Sequence, residues 1–286
     1  MADEHSRAVL ITGCSTGIGR ATAEHLAERG WPVYATARRV ESIADLEGKG
    51  CQVLALDVTD EASMQGAVER VEADHGAVGV LVNNAGYSQS GTIEEVPMED
   101  VRRQFETNVF GLVRMTQLVL PKMRAQRWGK IVNISSMGAN FTFPGGGFYH
   151  ATKHAVDALT DALRFEVKGF GIDAVIIQPG LIMTNFGERA VGEMEGATGG
   201  GGNGPYAEFN EKLAAATKGV YEEGPAAKLG GGPDTVAKAI EKAITARRPK
   251  ARYLVTPSAH LLINQKRLMP DRVWDRFLRT QFPQPK

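Results

Sequence analysis

The 286-residue sequence predicts an α/β fold, a single domain built on a doubly wound parallel sheet flanked by helices. Three observations carry this. Short β-branched runs alternate with longer amphipathic stretches through the first two thirds of the chain. Most of those runs are apolar at nearly every position, as in strands covered on both faces. A glycine-rich loop joins the first strand directly to the first helix, the context a phosphate-binding turn requires.

Taken in order, the apolar runs place strands at Ala8–Thr12, Val33–Ala37, Gln52–Leu56, Val80–Asn83, Lys130–Ser135 and Asp173–Gln178. Helical stretches between them are Ile18–Arg29, Glu61–Ala73, Val101–Ala125 and Ala151–Lys168. The alternation then breaks. Gly187–Gly204 ends in ATGGGGNG and Leu229–Asp234 reads LGGGPD, and glycine at that density predicts mobile loops around a short helix near Tyr206–Tyr221. Loops of this length in a compact domain are lids or binding loops more often than spacers. A helix at Thr235–Ala246 and a strand at Arg252–Thr256 follow. Residues 1–286 thus read as one domain, with a core over 7–190, a flexible substrate-binding loop insert over 187–233 and a C-terminal extension over 234–286.

The 33 basic and 33 acidic residues cancel, and no block of like charge stands out, which argues against a nucleic-acid-binding footprint. Cys14 and Cys51 are too few for a disulfide framework or a zinc site. The N-terminal MADEHSR has no apolar signal region, and no apolar run is long enough to span a bilayer. A reducing, cytoplasmic setting is the expectation.

The loop between the first strand and helix reads TGCSTGIG over Thr12–Gly19. Gly13 permits a tight turn, Gly17 lets the backbone approach a pyrophosphate, and Gly19 allows close helix–strand packing. The helix N-terminus then offers N–H donors to the phosphates. Downstream stand NNAG at Asn83–Gly86, ETNVFG around Asn108, IVNISS ending at Ser136, Tyr149 and Lys153 four residues apart, and QPG at Gln178–Gly180 before Thr184. In order and spacing over residues 7–190 this set resembles the short-chain dehydrogenase/reductase family, whose fold is a Rossmann-type sheet. ITGCSTGIG, VYATARR and KHAVDALTDALRFE resemble in particular its 17β-hydroxysteroid and retinol dehydrogenase branch.

The resemblance implies a nicotinamide cofactor contacted by Gly13, Ser15, Thr16, Gly17, Ile18, Gly19, Asp57, Val58, Asn83, Ala85, Gly86, Tyr149, Lys153, Pro179, Gly180, Ile182 and Thr184. Asp57 would meet the adenine amino group, although a turn or cap is its plain alternative, and Asp60 is a second cap candidate. Where NAD-selective folds carry an acid at the end of the second strand, this chain has Ala37 followed by Arg38. A guanidinium there suits a 2′-phosphate, so NADP(H) is the expected cofactor in preference to NAD(H).

Carbonyl reduction needs a proton donor within hydrogen-bond reach of the substrate oxygen. Lys153, one helical turn from Tyr149, would lower the tyrosine pKa by stabilising tyrosinate. The resemblance makes Tyr149 the general acid/base, Lys153 a ribose ligand as well, Ser136 the donor that positions the substrate carbonyl, and Asn108 the organiser of a water relay behind the lysine. His150 and His154 also stand at i, i+4, but no glutamate follows His150 and no third ligand is evident. They are rotated about 100° from Tyr149 on the same helix. No metal is expected; packing beneath the helix, or a subunit interface, is.

The mouth of such a site is apolar, with Met137, Phe141, Phe143 and Phe148 around the Ser136–Tyr149 connection and Tyr87 after NNAG. Phe186, Tyr206 and Phe209 border the glycine-rich loop. The expected substrate is a hydrophobic ketone, aldehyde or alcohol of steroid, retinoid or lipid type. The family resemblance also implies a homo-oligomer, dimer or tetramer, paired through the Val101–Ala125 and Ala151–Lys168 helices. Two other readings stay open. One is a non-catalytic NADP(H)-sensing regulatory module. The other is a lipid enzyme docking on a membrane surface through Pro257–Phe282, where Leu261, Leu262, Ile263, Trp274 and Phe277 mix with arginines, although packing over the substrate pocket is the favoured use of that segment.

Overall fold

The computed structural model of the chain describes residues 5–183, 204–222, 227–282 and 284. Phe186, Thr184 and nearly all of the glycine-rich stretch 187–204 lie outside the described residues. The strands are β1 Val9–Ile11, β2 Val33–Ala37, β3 Cys51–Ala55, β4 Val80–Asn83, β5 Gly129–Ile134, β6 Ile172–Pro179 and β7 Arg252–Val255. They form one all-parallel sheet in the order β3-β2-β1-β4-β5-β6-β7. The helices are α1 Gly17–Ala27, α2 Glu61–His75, α3 Met98–Phe105, α4 Leu112–Ala125, α5 Gly147–Glu166, α6 Ala207–Glu222, α7 Pro233–Thr245, α8 Pro257–Leu268 and α9 Asp271–Gln281.

The continuous apolar runs are explained by a core on each face of the sheet. Val9, Ile11, Val80, Val82, Val132, Val175 and Ile177 point to one side, against Leu26 of α1 and Val236 and Ile240 of α7. Their neighbours Leu10, Leu81, Ile131 and Ala174 point to the other, against Val68 and Val71 of α2 and Met115 and Val119 of α4. Alternation is present, but both faces are buried, so no polar beat shows in the sequence.

Two segments differ from expectation. The single helix anticipated over Val101–Ala125 is divided: α3 passes into a π-helical turn, Glu106–Gly111, before α4 begins. Gly111 sits under the β3–α2 loop, where a Cβ would come within 2.4 Å of the Val58 carbonyl oxygen, and Asn108 turns inward to bond Tyr87. The extra residue of the π turn accommodates both. Between β2 and β3 the chain forms a 3₁₀ run, Val40–Lys49, closed by Gly50 at φ 86°.

The C-terminal third is built into the fold. β7 extends the sheet beside β6, and Ile182 pairs with Gly231 in an isolated parallel bridge. At the β6 exit, a Cβ on Gly180 would lie 2.3 Å from Ser258 Oγ and 2.4 Å from Thr256 Oγ1. Only a glycine admits the start of α8 so closely. Trp274 of α9 is buried in a third cluster with Met137, Phe141, Leu181, Ala259 and Ile263.

Candidate active site

The sheet order reverses between β1 and β4, and parallel α/β sheets form their ligand crevice at that point, outside the carboxyl ends of the strands. The glycine loop lies there. Gly13 has φ 75° and Gly17 φ 62°, both left-handed. A Cβ on Gly13 would stand 2.9 Å from the Ala85 backbone, and one on Gly19 would stand 2.4 Å from the Gly13 carbonyl oxygen. Thr16, the N-cap of α1, makes no side-chain cap bond, and the first turn of α1 holds no acid. The free N–H groups and dipole of this end therefore suit a pyrophosphate. Ser15 and Ile18 are half-buried on the loop. Arg38, at the exit of β2, is exposed and belongs to none of the ion pairs formed among the described residues. These features fit a dinucleotide carrying a 2′-phosphate.

Two residues passed over in the sequence reading hold the loop in place. Thr12 Oγ1 accepts the backbone N–H groups of Asn84 (3.0 Å) and Ala85 (2.9 Å). Asn84 Nδ2 in turn donates to the Thr12 and Gly13 carbonyls, both at 2.9 Å. The first asparagine of NNAG does something different. Asn83 is buried and bonds Thr116 Oγ1 (3.2 Å) and Asn133 Oδ1 (2.9 Å), a core tie between β4, β5 and α4. The Asp57 carboxylate accepts both the N–H (2.9 Å) and the hydroxyl (2.7 Å) of Thr59, a turn role, while Asp60 caps α2 through Ser63 N–H. Val58 is buried against Gly111.

α5 brings the proton-transfer candidates together. Lys153 Nζ lies 5.6 Å from the centre of the Tyr149 ring and donates to the Ile134 carbonyl at 2.8 Å. Burial lowers its pKa to about 8, against the opposing pull of Asp157 one turn further on. Asp157 is itself buried; desolvation raises its pKa, and it accepts from Gln178 Nε2 at 2.6 Å. Ser136 Oγ accepts the Gly138 N–H at 3.0 Å, which leaves its own O–H to donate. Asn108 brackets the Tyr87 backbone, its Oδ1 accepting the N–H (3.1 Å) and its Nδ2 donating to the carbonyl (2.8 Å). Its Nδ2 also reaches Thr152 Oγ1 (3.1 Å), which donates to the Tyr149 carbonyl (2.7 Å). Asn108 therefore addresses the head of α5 through Thr152, and its bonds run to neither Tyr149's ring nor Lys153.

The two histidines part company. His150 is buried, with Nδ1 at 2.8 Å from the Gly138 carbonyl and Nε2 accepting the Phe143 N–H at 3.4 Å. It fastens the Ser136–Tyr149 connection from inside, as expected of a packing residue. Burial lowers its pKa, so it is held neutral. His154 is exposed, its Nδ1 2.8 Å from the His150 carbonyl.

An apolar wall stands beside these groups. Phe143 contacts His150, Phe141, Trp274 and Phe282, with ring separations of 6.0, 4.9, 6.4 and 5.4 Å. Phe209, Leu213 and Ala214 of α6 form a cluster to which Tyr206 and Phe282 also pack. Tyr206 donates to Glu94 and Asn210 to Glu95, both at 2.8 Å, holding α6 to the loop after β4. Pro179 closes β6; Gly180 and the buried Ile182 continue from it toward the described limit at 183. Thr184, next in line, lies outside the described residues.

Residues 7–194 match the family described as short chain dehydrogenase. The NADPH-dependent 3-dehydrocapnine reductase of Ornithobacterium rhinotracheale is 37% identical over 281 residues, covering 94% of this chain and 95% of its own. The 3-ketodihydrosphingosine reductase of Bacteroides thetaiotaomicron is 38% identical over 275 residues, covering 95% and 96%. A solved short-chain dehydrogenase from Streptomyces avermitilis superposes with a TM-score of 0.78 at 34% identity, each chain covered to 95%.

Proposed function

The chain belongs to the short chain dehydrogenase family, and we propose that it interconverts a hydrophobic ketone or aldehyde and its alcohol with NADP(H), using Tyr149 as general acid/base. The observation that carries the reading is the placement of Tyr149 one turn from buried Lys153, whose Nζ bonds the carbonyl of Ile134 at the carboxyl end of β5, the end of the sheet at which the glycine cradle also lies. NADPH, when bound, supplies the hydride. The NADPH dependence named for the Ornithobacterium relative and the unpaired setting of Arg38 both support NADP(H) over NAD(H).

In the reductive direction Ser136 O–H donates to the substrate carbonyl oxygen and fixes its position. Tyr149 O–H passes its proton to that oxygen as negative charge develops there. The Lys153 ammonium stabilises the tyrosinate left behind, an attraction strengthened by the buried surroundings. Asn108 and Thr152 hold the first turn of α5, and hence the tyrosine backbone, against the loop after β4. Phe141, Phe143 and Trp274 pack as an apolar wall behind His150, the neighbour of Tyr149 on α5. That wall, and the relative named as a 3-ketodihydrosphingosine reductase, support an apolar ketone as substrate. Homo-oligomer formation has its own support: Phe110 and Leu159, from the two helical segments expected to pair, are 54% and 42% exposed.

The test is NADPH oxidation over a panel of long-chain, cyclic and small polar ketones. Turnover should concentrate in the apolar members. Activity confined to sugars or hydroxy acids overturns the substrate class, and NADPH binding with no turnover of any member favours a sensing module.

A further inference from the structure

From Arg247 to Lys286 the sequence carries ten basic residues against two acidic ones, in a chain whose 33 basic and 33 acidic residues cancel overall. The basic residues are interspersed with others, so the imbalance forms no run. Within this segment α9 is two-sided. Trp274 is buried, with Phe141 5.6 Å away ring to ring. On the opposite side Arg272, Arg276 and Arg279 are exposed and follow the i, i+4, i+7 spacing of one helical face.

α8 presents an outer face on which exposed leucines stand among His260, Asn264 and Arg267. Ala259 and Ile263 point inward, whereas Leu261 and Leu268, seven residues apart, are 45% and 85% exposed. A shallow groove of about 420 Å³ runs along this face from Pro257 to Leu268. Exposed Arg267 and Val273, the latter 48% exposed, flank the turn between the two helices. Of the two acids, Asp271 is neutralised by Lys266 at 2.6 Å, which leaves Asp275 against the arginine row.

We propose that α8 and α9 dock the protein on the surface of an anionic lipid bilayer. An interfacial site pairs guanidinium groups at phosphate depth with apolar side chains at the acyl boundary, and this surface supplies both. Nucleic acid would meet the arginines but leave Leu261 and Leu268 in water. The docking is peripheral, since no helix among the described residues is long and apolar enough to cross a membrane. The inner side of the same α9 walls the proposed carbonyl site, so a lipid-borne substrate would enter beside the surface it leaves.

Vesicle sedimentation with the full chain tests this without any turnover, and so separately from the proposed reaction. Binding to phosphatidylglycerol-containing vesicles should exceed binding to pure phosphatidylcholine by more than about tenfold and weaken with salt. The triple variant R272E/R276E/R279E and the single variant Leu268→Asp should each lose most of that binding, while keeping parental melting and parental turnover of a water-soluble ketone. No sedimentation with anionic vesicles, or unchanged binding by folded variants, overturns the proposal. So does a fall in particle mass for Leu268→Asp by light scattering without lipid, which would assign the face to a second copy of the chain. Equal affinity for polyglutamate, lost in Leu268→Asp, would assign it instead to an acidic protein and also overturn the proposal.

Discussion

The imidazole of His150 and the carbonyl of Gly138 are joined at 2.8 Å, and no room exists between them: a Cβ on Gly138 would fall 2.3 Å from the ring nitrogen. The contact locks Tyr149's neighbour on α5 to the loop that starts at Ser136. The loop that starts at Ser136 is thus tied to the turn of α5 that carries Tyr149.

Replacing His150 with Ala should cost about 2–3 kcal/mol of stability, from a cavity and an unsatisfied carbonyl. Thermal melting measures this. Because burial depresses the histidine pKa, the unfolded chain takes up a proton that the folded chain refuses. The parent's stability should be full above about pH 6.5 and fall as pH drops below it, less steeply in the variant.

Tyr149→Phe should lower kcat by about 10²–10⁴-fold. NADPH affinity, read from fluorescence titration, should hold, since the ring stays and only the hydroxyl is removed. Near-parental turnover would remove Tyr149 from its proposed role.

Burial brings the Lys153 pKa down to about 8, and in the proposed reaction its charged form is the one that stabilises tyrosinate. Reductive kcat should therefore decline as pH rises through about 8. The check is a pH–rate profile of parent and Lys153→Arg: any activity the variant retains should lack that limb, because a guanidinium keeps its charge.

Arg38→Asp should reverse cofactor preference. Loss of a charge-assisted contact to a 2′-phosphate is worth about 1.5–3 kcal/mol, or roughly 10–150-fold in kcat/KM for NADPH. The ratio of kcat/KM for NADPH to that for NADH decides it, and an unchanged ratio assigns Arg38 to ordinary surface.

Gly180→Ala should destabilise the protein by about 1–3 kcal/mol, since Ser258 and Thr256 leave a methyl group no space. Ala at the exposed Gly204, where the nearest atom to an added Cβ is the Glu95 carboxylate at 3.4 Å, provides the contrasting control in melting experiments.

Periodicity and glycine chemistry made the sheet, the β1–α1 loop and the Tyr149–Lys153 face readable in advance. Other features depended on contacts between residues distant in sequence. The π turn at Asn108 lies inside an unbroken helical pattern, and what forces it is Val58 beneath Gly111. Asn83 and Asn84 are the same residue type side by side, yet one faces the core and the other the glycine loop. His150 and His154 looked equivalent as a pair, and only the packed loop tells them apart. Thr256, at φ 89°, adopts a conformation costly for a β-branched residue, and no local motif announces it.

The late arrival of β7 has a consequence for biosynthesis. Among the described residues the outer edge of β6 is paired by Arg252–Val255, so a ribosome-bound chain must carry an open, apolar strand edge until synthesis has passed Val255. A fragment ending before Arg252 would keep every proposed proton-handling residue and still expose Ile176 and Ile177 to their counterparts on another molecule. Truncation in the C-terminal third should therefore appear first as aggregation, before any change in chemistry can be measured.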